Sequence, residues 1–374
     1  MKNDYLRETL NMNQDLLQDL TKNQYIQNEF FGVLRSIEAS IPEDCRQNFY
    51  GNLKTLRLNI GDMANKGEDV AGVYNGKSNK IVINKCMLDK LKENYNIQYV
   101  EELKDCILMA MYHELLHMAS CTRDEKTNYY TGGFQHVERN EDGEFLYSED
   151  LKGMTEGFTE KLTMLVFGKR TYESHSIYGR QMNFTEHLSK LTDLETMKRA
   201  YFNNRNGMDL VDKKIEELDG KASHIDLYED IERDYRMKDN KEVEEEYDKY
   251  LLADIERRLL DLSKEKVKEL LEKNPNMTDE EITDFWKEIA GTINFPEKLE
   301  LMGENPENYN GLEQLRPMFK RFRLETMENR NKTIQINDIE NITRGVKISD
   351  LNNEVKNVKK EMQIEGEYNR ESLE

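Results

Sequence analysis

The chain has 374 residues, of which 37% are hydrophobic and 34% are charged, and its formal net charge is −20. This length predicts two or three structural units, and the high charge indicates long, solvated helices around a folded core. The acidity disfavours binding to nucleic acid or to anionic lipid surfaces. No apolar run reaches the roughly 18 residues that a membrane helix needs, so no membrane span is expected.

The start of the chain and its cysteines favour a cytoplasmic protein. No apolar segment of the kind found in secretory signals follows Met1 to Tyr5. The four cysteines are Cys45, Cys86, Cys106 and Cys121. They form no Cys-x-x-Cys pair and no disulfide framework, which is typical of a reducing compartment. We therefore expect a cytoplasmic location, with secretion left open.

The N-terminal part changes from a helical to an extended pattern. Residues 1–50 carry leucines at helical spacing and predict an N-terminal helical segment. Leu56, Leu58 and Ile60 then alternate with polar residues, which is the pattern of a half-buried strand.

The next segment predicts a hairpin followed by a series of helices. Two β-prone runs, Val70–Tyr74 and Lys80–Asn84, flank an Asn-Gly pair, a strong hairpin signal. A second hairpin is expected within residues 129–147. Helical periodicity predicts helices over 98–120, 151–167, 179–191, 209–218, 241–274 and 279–290. Thr278 and Glu281 have the spacing of a capping box at the start of the last of these.

Composition divides the chain into three parts with soft boundaries. We expect an N-terminal helical segment over 1–50, a central domain over 51–220 and a charged helical C-terminal region over 221–374. Helices rich in Glu and Lys are usually solvated, and a role of the last part in recruiting a substrate has no support in the sequence.

Residues 112–118 read Tyr-His-Glu-Leu-Leu-His-Met and have the form of a zinc-binding helix. His113 and His117 are four residues apart, so a helix places both imidazoles on one face. Zn²⁺ binds neutral imidazole nitrogen, and Glu114 can take a proton from a water molecule beside the metal. The alternative is a helix with two surface histidines. The flanking residues are apolar, however, and burying these side chains without partners would cost several kcal/mol.

A catalytic zinc site needs a third protein ligand and an open fourth position. Glu156 and Glu160 are four apart on the helix predicted over 151–167. Glu156 is the candidate ligand, and Glu160 the candidate acceptor of a hydrogen bond from a zinc-bound histidine. The alternative is a solvated helix face, but Gly157 permits close helix approach and favours the functional interpretation. Cys121 is interpreted as a buried structural thiol.

At these residues the chain resembles the gluzincin branch of zinc metallopeptidases, the thermolysin-like group. Residues 113–117 match its His-Glu-x-x-His helix. Residues 155–160 match its second helix, often written Asn-Glu-Gly-x-Thr-Glu, with Thr155 in place of Asn. Residues 71–84 look like the hairpin that precedes the metal helix. The resemblance covers about residues 55–192.

The resemblance implies an α+β, predominantly α-helical fold. Its zincin-like core would contain a small mixed sheet with an antiparallel edge strand, an active-site helix and a glutamate helix, with helical N- and C-terminal extensions. His113, His117 and Glu156 would bind Zn²⁺. The gap between His117 and Glu156 is longer than in thermolysin itself, and the hairpin over Gly132–Tyr147 would fill it and rim the cleft.

The resemblance also implies a substrate edge and an oxyanion donor. Strand Val70–Tyr74 would pair with a peptide or protein substrate, which adds as an extra strand. Tyr178, at the start of the helix after the Glu156 helix, is the first candidate for the donor that such enzymes use. Competing candidates are Tyr172, His175 and Tyr147, and a packing role is an equal alternative for each of the four.

Three functional hypotheses remain. The first is a zinc-dependent metallopeptidase with Glu114 as general base, acting as an endopeptidase or an exopeptidase. The second is a catalytically silent, zincin-like binding or regulatory protein that uses the charged C-terminal region; intact Glu114 disfavours it. The third is a structural zinc site, which the absence of a cysteine cluster disfavours. Oligomeric state stays open.

Overall fold

The structure is a computed structural model that describes residues 4–22, 24–63, 71–86, 89, 97–124, 129–139, 145–149, 151–167, 178–203, 207–220, 223–237, 245–291 and 296–341. Within these ranges, only the backbone is described at 24–25, 97–103, 123–124, 129, 136–139, 145–149, 207, 223–224, 245–246 and 331–341.

The chain divides into two compact units. The first comprises residues 1–217 and 221–248, and the second comprises residues 218–220 and 249–374. The three-part division by composition stays a prediction.

The described part of the chain is predominantly helical with a small mixed sheet, which confirms the expected α+β class. In the first unit the helices are α1 Tyr5–Met12, α2 Gln14–Leu20, α3 Gln24–Ser40, α4 Arg46–Leu53, α5 Ile97–Ser120, α6 Lys152–Phe167, α7 Gly179–Thr192, α8 Leu194–Phe202, α9 Gly207–Asp219 and α10 Ser223–Met237. A short 3₁₀ turn over Glu43–Cys45 precedes α4. The helices predicted over 98–120, 151–167, 179–191 and 209–218 begin and end within two residues of α5, α6, α7 and α9.

A three-stranded sheet lies beside α5. Its strands are β1 Arg57–Gly61, β2 Gly72–Asn75 and β3 Lys80–Asn84, in the order β1-β3-β2. β1 and β3 are parallel, and β2 is antiparallel to β3, so β2 forms the antiparallel edge that was predicted. Two small hairpin-like pairs follow α5: β4 Thr122–Asp124 with β5 Tyr129–Thr131, and β6 His136–Arg139 with β7 Phe145–Glu149. The hairpin predicted within 129–147 corresponds to the second pair.

Buried amides attach this sheet to the C-terminal end of α5. The Asn52 side chain donates to the carbonyl oxygens of Met118 and Cys121, at 2.8 and 2.5 Å. Asn79, in the β2–β3 turn at φ 50°, donates in turn to the Asn52 carbonyl at 2.7 Å. Because exposed carbonyls at a helix end need partners, these bonds fix the last turn of α5 against α4 and the hairpin.

Glycines allow α6 to approach its neighbours closely. A Cβ atom at Gly157 would lie 2.3 Å from the Gln181 carbonyl oxygen of α7. A Cβ atom at Gly153 would lie 2.7 Å from Cβ of Tyr235 on α10. The helix that carries Glu156 is therefore held between α7 and α10 by backbone-close contacts that any side chain at these glycines would disturb.

The second unit is helical in its described residues. It contains α11 Glu245–Lys273 from residue 249 onward, α12 Asp279–Ile289, α13 Pro296–Leu301, a 3₁₀ turn over Pro306–Tyr309 and α14 Leu312–Asn341. The predicted capping box is confirmed, since Thr278 and Glu281 each accept the other's backbone N–H, at 3.2 and 2.8 Å. The core of this unit includes buried Trp286, stacked on Tyr309 at 5.9 Å between ring centroids.

Across the described residues, none of the helices combines the length and the apolar character that crossing a bilayer requires.

Candidate metal centre

Both histidines lie on helix α5, among residues that are buried in the core. Its turns around the motif bury Met111, Tyr112, Leu115 and Leu116 completely. The imidazoles of His113 and His117 keep 13% and 16% of their side-chain surface exposed. The helix packs against α3, α4 and α6 as well as against β2 and β3, and it leaves the two rings at the margin of the core.

Glu156 completes a group of three convergent donor atoms. Its Oε2 lies 3.2 Å from His113 Nε2 and 3.3 Å from His117 Nε2, and the two nitrogens are 3.0 Å apart. In the part of the chain that the structure describes, these residues form the one group of histidine, cysteine or carboxylate side chains with metal-binding proximity. Cys121, although four residues after His117, is not a member of that group.

The spacing of these donors matches what zinc requires. Zinc bonds to nitrogen and oxygen of about 2.0–2.1 Å place the donors of a tetrahedral site about 3.3–3.4 Å apart. The three separations, 3.0, 3.2 and 3.3 Å, are close to that value. Two neutral imidazoles and one carboxylate are also a donor set that zinc accepts. The residues present therefore fit a zinc ion with one coordination position left to other ligands.

Electrostatics within the group favours a positive charge next to Glu156. Burial lowers the pKa of the His113 imidazole, but the hydrogen bond to Glu156 and the nearby carboxylates together raise it to about 9. Burial raises the pKa of the Glu156 carboxyl, whereas the charges and hydrogen bonds of the two histidines shift it far below its usual range. A proton on His113 thus balances the buried carboxylate, and a metal ion can take the place of that proton.

Glu114 points toward the sheet edge and not into the group of donors. Its Oε2 accepts a hydrogen bond of 2.6 Å from the backbone N–H of Tyr74 in β2. Gly72 lies beside it, with a Cβ position only 3.1 Å from Glu114 Cγ. The missing side chain at Gly72 therefore leaves the space that this carboxylate occupies.

The outer edge of β2 faces this site. Ala71 accepts a bond from Asn84 N at 3.0 Å, so its carbonyl points toward β3. Peptide groups alternate in direction along an antiparallel strand, and Tyr74 N–H, three residues on, points away from β3 to Glu114. The backbone groups of Gly72 and Tyr74 therefore lie on the side of β2 that points away from β3.

Tyr178 lies beside the donors. Its ring stacks on that of His113, with centroids 6.3 Å apart and planes at 18°. Burial and the negative charge of Glu156 raise the pKa of its phenol well above the usual range. The hydroxyl therefore stays protonated and able to donate a hydrogen bond. Of its competitors, Tyr172 and His175 lie outside the described residues, and Tyr147 has only its backbone described, in β7.

Glu160 lies one turn after Glu156 on α6 and is buried. Its negative charge contributes to the raised pKa of His113. The hydrogen bond predicted between Glu160 and a histidine stays a prediction.

The structure brings further residues to the site, chiefly from α10, and the sequence did not predict them. Tyr235 of α10 packs against Tyr178 at 6.1 Å between ring centroids, and Lys152 Nζ lies 5.7 Å over the Tyr235 ring. Glu232, also on α10, accepts the backbone N–H of Met154 at 3.2 Å and so caps the helix of Glu156. No short motif marks these residues; the helical period of α10 was the available signal, and it does not show what the helix packs against.

Comparison with protein families, with curated proteins and with solved structures finds no match for this chain. Any functional assignment therefore depends on the residues and geometry described above.

Proposed function

We propose that this protein is a zinc-dependent metallopeptidase with a zincin-like core formed by β1–β3, α5 and α6. The observation that carries the proposal is the triangle of His113, His117 and Glu156 donors at tetrahedral spacing, with Glu114 beside it. A structural zinc site usually has four protein ligands. Among the described residues three donors converge, which is the number of protein ligands typical of a catalytic zinc site.

Each residue has a defined task in this proposal. Zinc bound by the three ligands would act as a Lewis acid and lower the pKa of water. Glu114 accepts a proton from the attacking water at its carboxylate and later returns it to the leaving amine nitrogen. The Tyr178 hydroxyl donates a hydrogen bond to the substrate carbonyl oxygen, on which negative charge develops in the reaction. Glu160 orients a ligand histidine.

The proposed substrate is a peptide or protein segment in extended conformation. The outer edge of β2, on the side away from β3, carries the backbone N–H and C=O groups of Gly72 and Tyr74, and Glu114 accepts the Tyr74 N–H there. An added strand uses such groups for main-chain hydrogen bonds, which recognise a backbone regardless of its sequence. Gly72 and Tyr74 belong to Val70–Tyr74, the segment predicted for substrate pairing, of which Val70 lies outside the described residues. The proposal includes a cytoplasmic location and no nucleic-acid or membrane partner, consistent with the charge of −20.

Metal content tests the proposal most directly. Protein purified without chelator is analysed for elements beside a His113→Ala/Glu156→Ala double variant and a Cys121→Ala control. We expect about one zinc per chain in the wild type and in the control, and none in the double variant, because only the latter loses convergent donors. The wild type and Glu114→Gln are then assayed on a mixed peptide substrate.

Two outcomes would contradict the proposal in different ways. Absence of zinc, with none taken up on titration, excludes the metallopeptidase. Bound zinc without hydrolysis of any peptide supports the alternative, a catalytically silent zincin-like binding or regulatory protein.

A further inference from the structure

Two hydroxyl residues repeat the same relation to the proposed ligands. Ser120 follows His117 by three residues on α5, and Thr159 follows Glu156 by three residues on α6. Side chains three residues apart lie on the same face of a helix. Each hydroxyl therefore lies about one turn beyond a ligand, on the face that the ligand occupies.

Tyr201 connects these two hydroxyls. It belongs to α8 and its side chain is completely buried. Its hydroxyl oxygen lies 2.6 Å from Thr159 Oγ1 and also forms a hydrogen bond with Ser120. A single phenol group thus joins α5 to α6 close to the point where each presents a ligand.

The hydroxyl groups extend this contact into both helices. Thr159 Oγ1 donates to the Thr155 carbonyl at 2.7 Å, so the Tyr201 hydroxyl donates to Thr159. Ser120 Oγ accepts the Gly133 N–H at 3.0 Å, and its hydroxyl hydrogen points to the His117 carbonyl oxygen at 3.1 Å, beside the Tyr201 hydroxyl. Tyr201 is therefore bonded to α6 through Thr159 and meets, through Ser120, the turn of α5 that carries His117.

We propose that Tyr201 is a positioning residue that fixes the separation of α5 and α6 and thereby the distances among the three metal ligands. Metal sites need their ligands held within about 0.5 Å of the required geometry, which packing and outer hydrogen bonds provide. This inference rests on the proposed metal centre and assigns to Tyr201 a role that acts through other residues.

The ring and the hydroxyl of Tyr201 have separable functions. The ring packs with Phe134 and Phe158 in a buried cluster, at centroid distances of 5.5 and 5.4 Å. Substitution by Phe keeps this packing and removes only the hydroxyl. Tyr201→Phe therefore tests the hydrogen-bonded connection with little change in the volume of the core.

Tyr112→Phe is a matched control. Tyr112 is also completely buried and lies on α5 itself, but its hydroxyl bonds to Ser40 of α3, at 3.1 Å. Both substitutions remove one buried tyrosine hydroxyl. Only Tyr201→Phe breaks a connection between the two ligand-bearing helices.

The experiment measures metal binding by the full-length variants. Zinc affinity is determined by chelator competition, and the site geometry is read from the visible absorption of the Co²⁺-substituted protein. We expect Tyr201→Phe to weaken zinc binding by roughly tenfold, at the lower end of effects seen for outer-sphere residues, and to change the Co²⁺ spectrum. Tyr112→Phe should keep the wild-type affinity and spectrum.

Thr159 supplies an independent pair of variants. Thr159→Ser keeps the hydroxyl and should bind metal as the wild type does, whereas Thr159→Val should resemble Tyr201→Phe. If Tyr201→Phe does not fold, the two Thr159 variants test the positioning role by themselves.

Unchanged metal affinity and spectrum in both Tyr201→Phe and Thr159→Val would overturn the positioning role alone. Equal losses in Tyr201→Phe and Tyr112→Phe would also overturn it, because the effect would then be one of general stability. A wild type that binds neither zinc nor Co²⁺ would overturn the metal centre itself, and the inference with it.

Discussion

Among single residues, Glu114 provides the sharpest test of the chemistry. Glu114→Gln preserves the shape of the side chain and its ability to accept the Tyr74 N–H, but an amide cannot take up a proton. We expect zinc to remain bound and the rate of peptide hydrolysis to fall by about 10²–10⁴-fold. Glu217→Gln on α9, which removes an exposed pair with Lys213, is the control and should retain full activity. Hydrolysis by the Glu114 variant at the wild-type rate would exclude Glu114 as the base.

Asp19 gives a prediction for acid stability. Its carboxylate accepts bonds from Arg57 Nε at 2.8 Å and from Leu58 N at 3.2 Å, and so ties α2 to β1. The hydrogen bond from Arg57, with smaller contributions from Lys22 and Leu58 N, outweighs burial and lowers the pKa of Asp19 from 3.8 to about 2. A lowered folded-state pKa contributes stability above pH 3.8, which is lost as the pH falls toward 2.

We expect Asp19→Asn to lower the free energy of unfolding by about 1–2 kcal/mol at pH 7. The effect is no larger because Arg57 and Lys22 are partly exposed and solvent screens their attraction to Asp19. The difference between wild type and variant should narrow below pH 3.8. Urea unfolding across this pH range measures both quantities. A difference that stays constant as the pH falls would show that the ionised carboxylate is not what stabilises this contact.

The residues of the candidate site could be predicted from the sequence to different extents. His113, Glu114 and His117 lie within one helical turn, so local spacing fixes their relation. Glu156 was chosen by its motif, and only the packing of α6 on α5 shows that its oxygen reaches both histidines. Tyr201 could not be found this way, because its partners are distant in sequence and a buried tyrosine has no distinguishing pattern.

At the level of elements, glycine contacts determine how closely α6 and α7 approach. Gly157→Ala would place a methyl group 2.3 Å from a carbonyl oxygen of α7, which is backbone and cannot turn aside. We expect a loss of about 1–3 kcal/mol in the free energy of unfolding, together with weaker zinc binding because Glu156 is the adjacent residue. Gly51→Ala on α4 is the control: nothing lies within 4 Å of its Cβ position, so the higher helix propensity of alanine should stabilise the protein slightly. Equal effects of the two substitutions in denaturant unfolding would contradict this account.

The elements themselves were largely predictable, while their arrangement was not. Helices and the β2–β3 hairpin follow from local periodicity and from turn residues such as Asn75 and Gly76. The parallel pairing of β1 with β3 joins residues that are 23 positions apart, with β2 between them in sequence, and no local pattern specifies it. The docking of α10 on α6 depends likewise on contacts such as that between Glu232 and Met154.

At the scale of the whole molecule, the division into two compact units predicts that zinc stabilises mainly the unit that contains its ligands. All three proposed ligands belong to the first unit. Zinc at about one hundred times its dissociation constant stabilises a native state by about 2.7 kcal/mol, because it does not bind the unfolded chain equally well. We expect hydrogen exchange to slow in α5 and α6 on adding zinc and to stay unchanged in α12 and α14. Equal protection of all four helices would show that the units unfold as one.

The contact between Tyr74 and Glu114 has a consequence for the order of events in catalysis. The Tyr74 amide has one hydrogen, and Glu114 accepts it in the free protein. A peptide strand added to β2 would need the same hydrogen for its own carbonyl, so the peptide and the carboxylate compete for it. In the proposed function, arrival of a substrate would displace Glu114 from the strand and leave Oε2 able to accept a proton. One oxygen of the base would then be released by the substrate itself, whereas without a peptide it stays bonded to Tyr74.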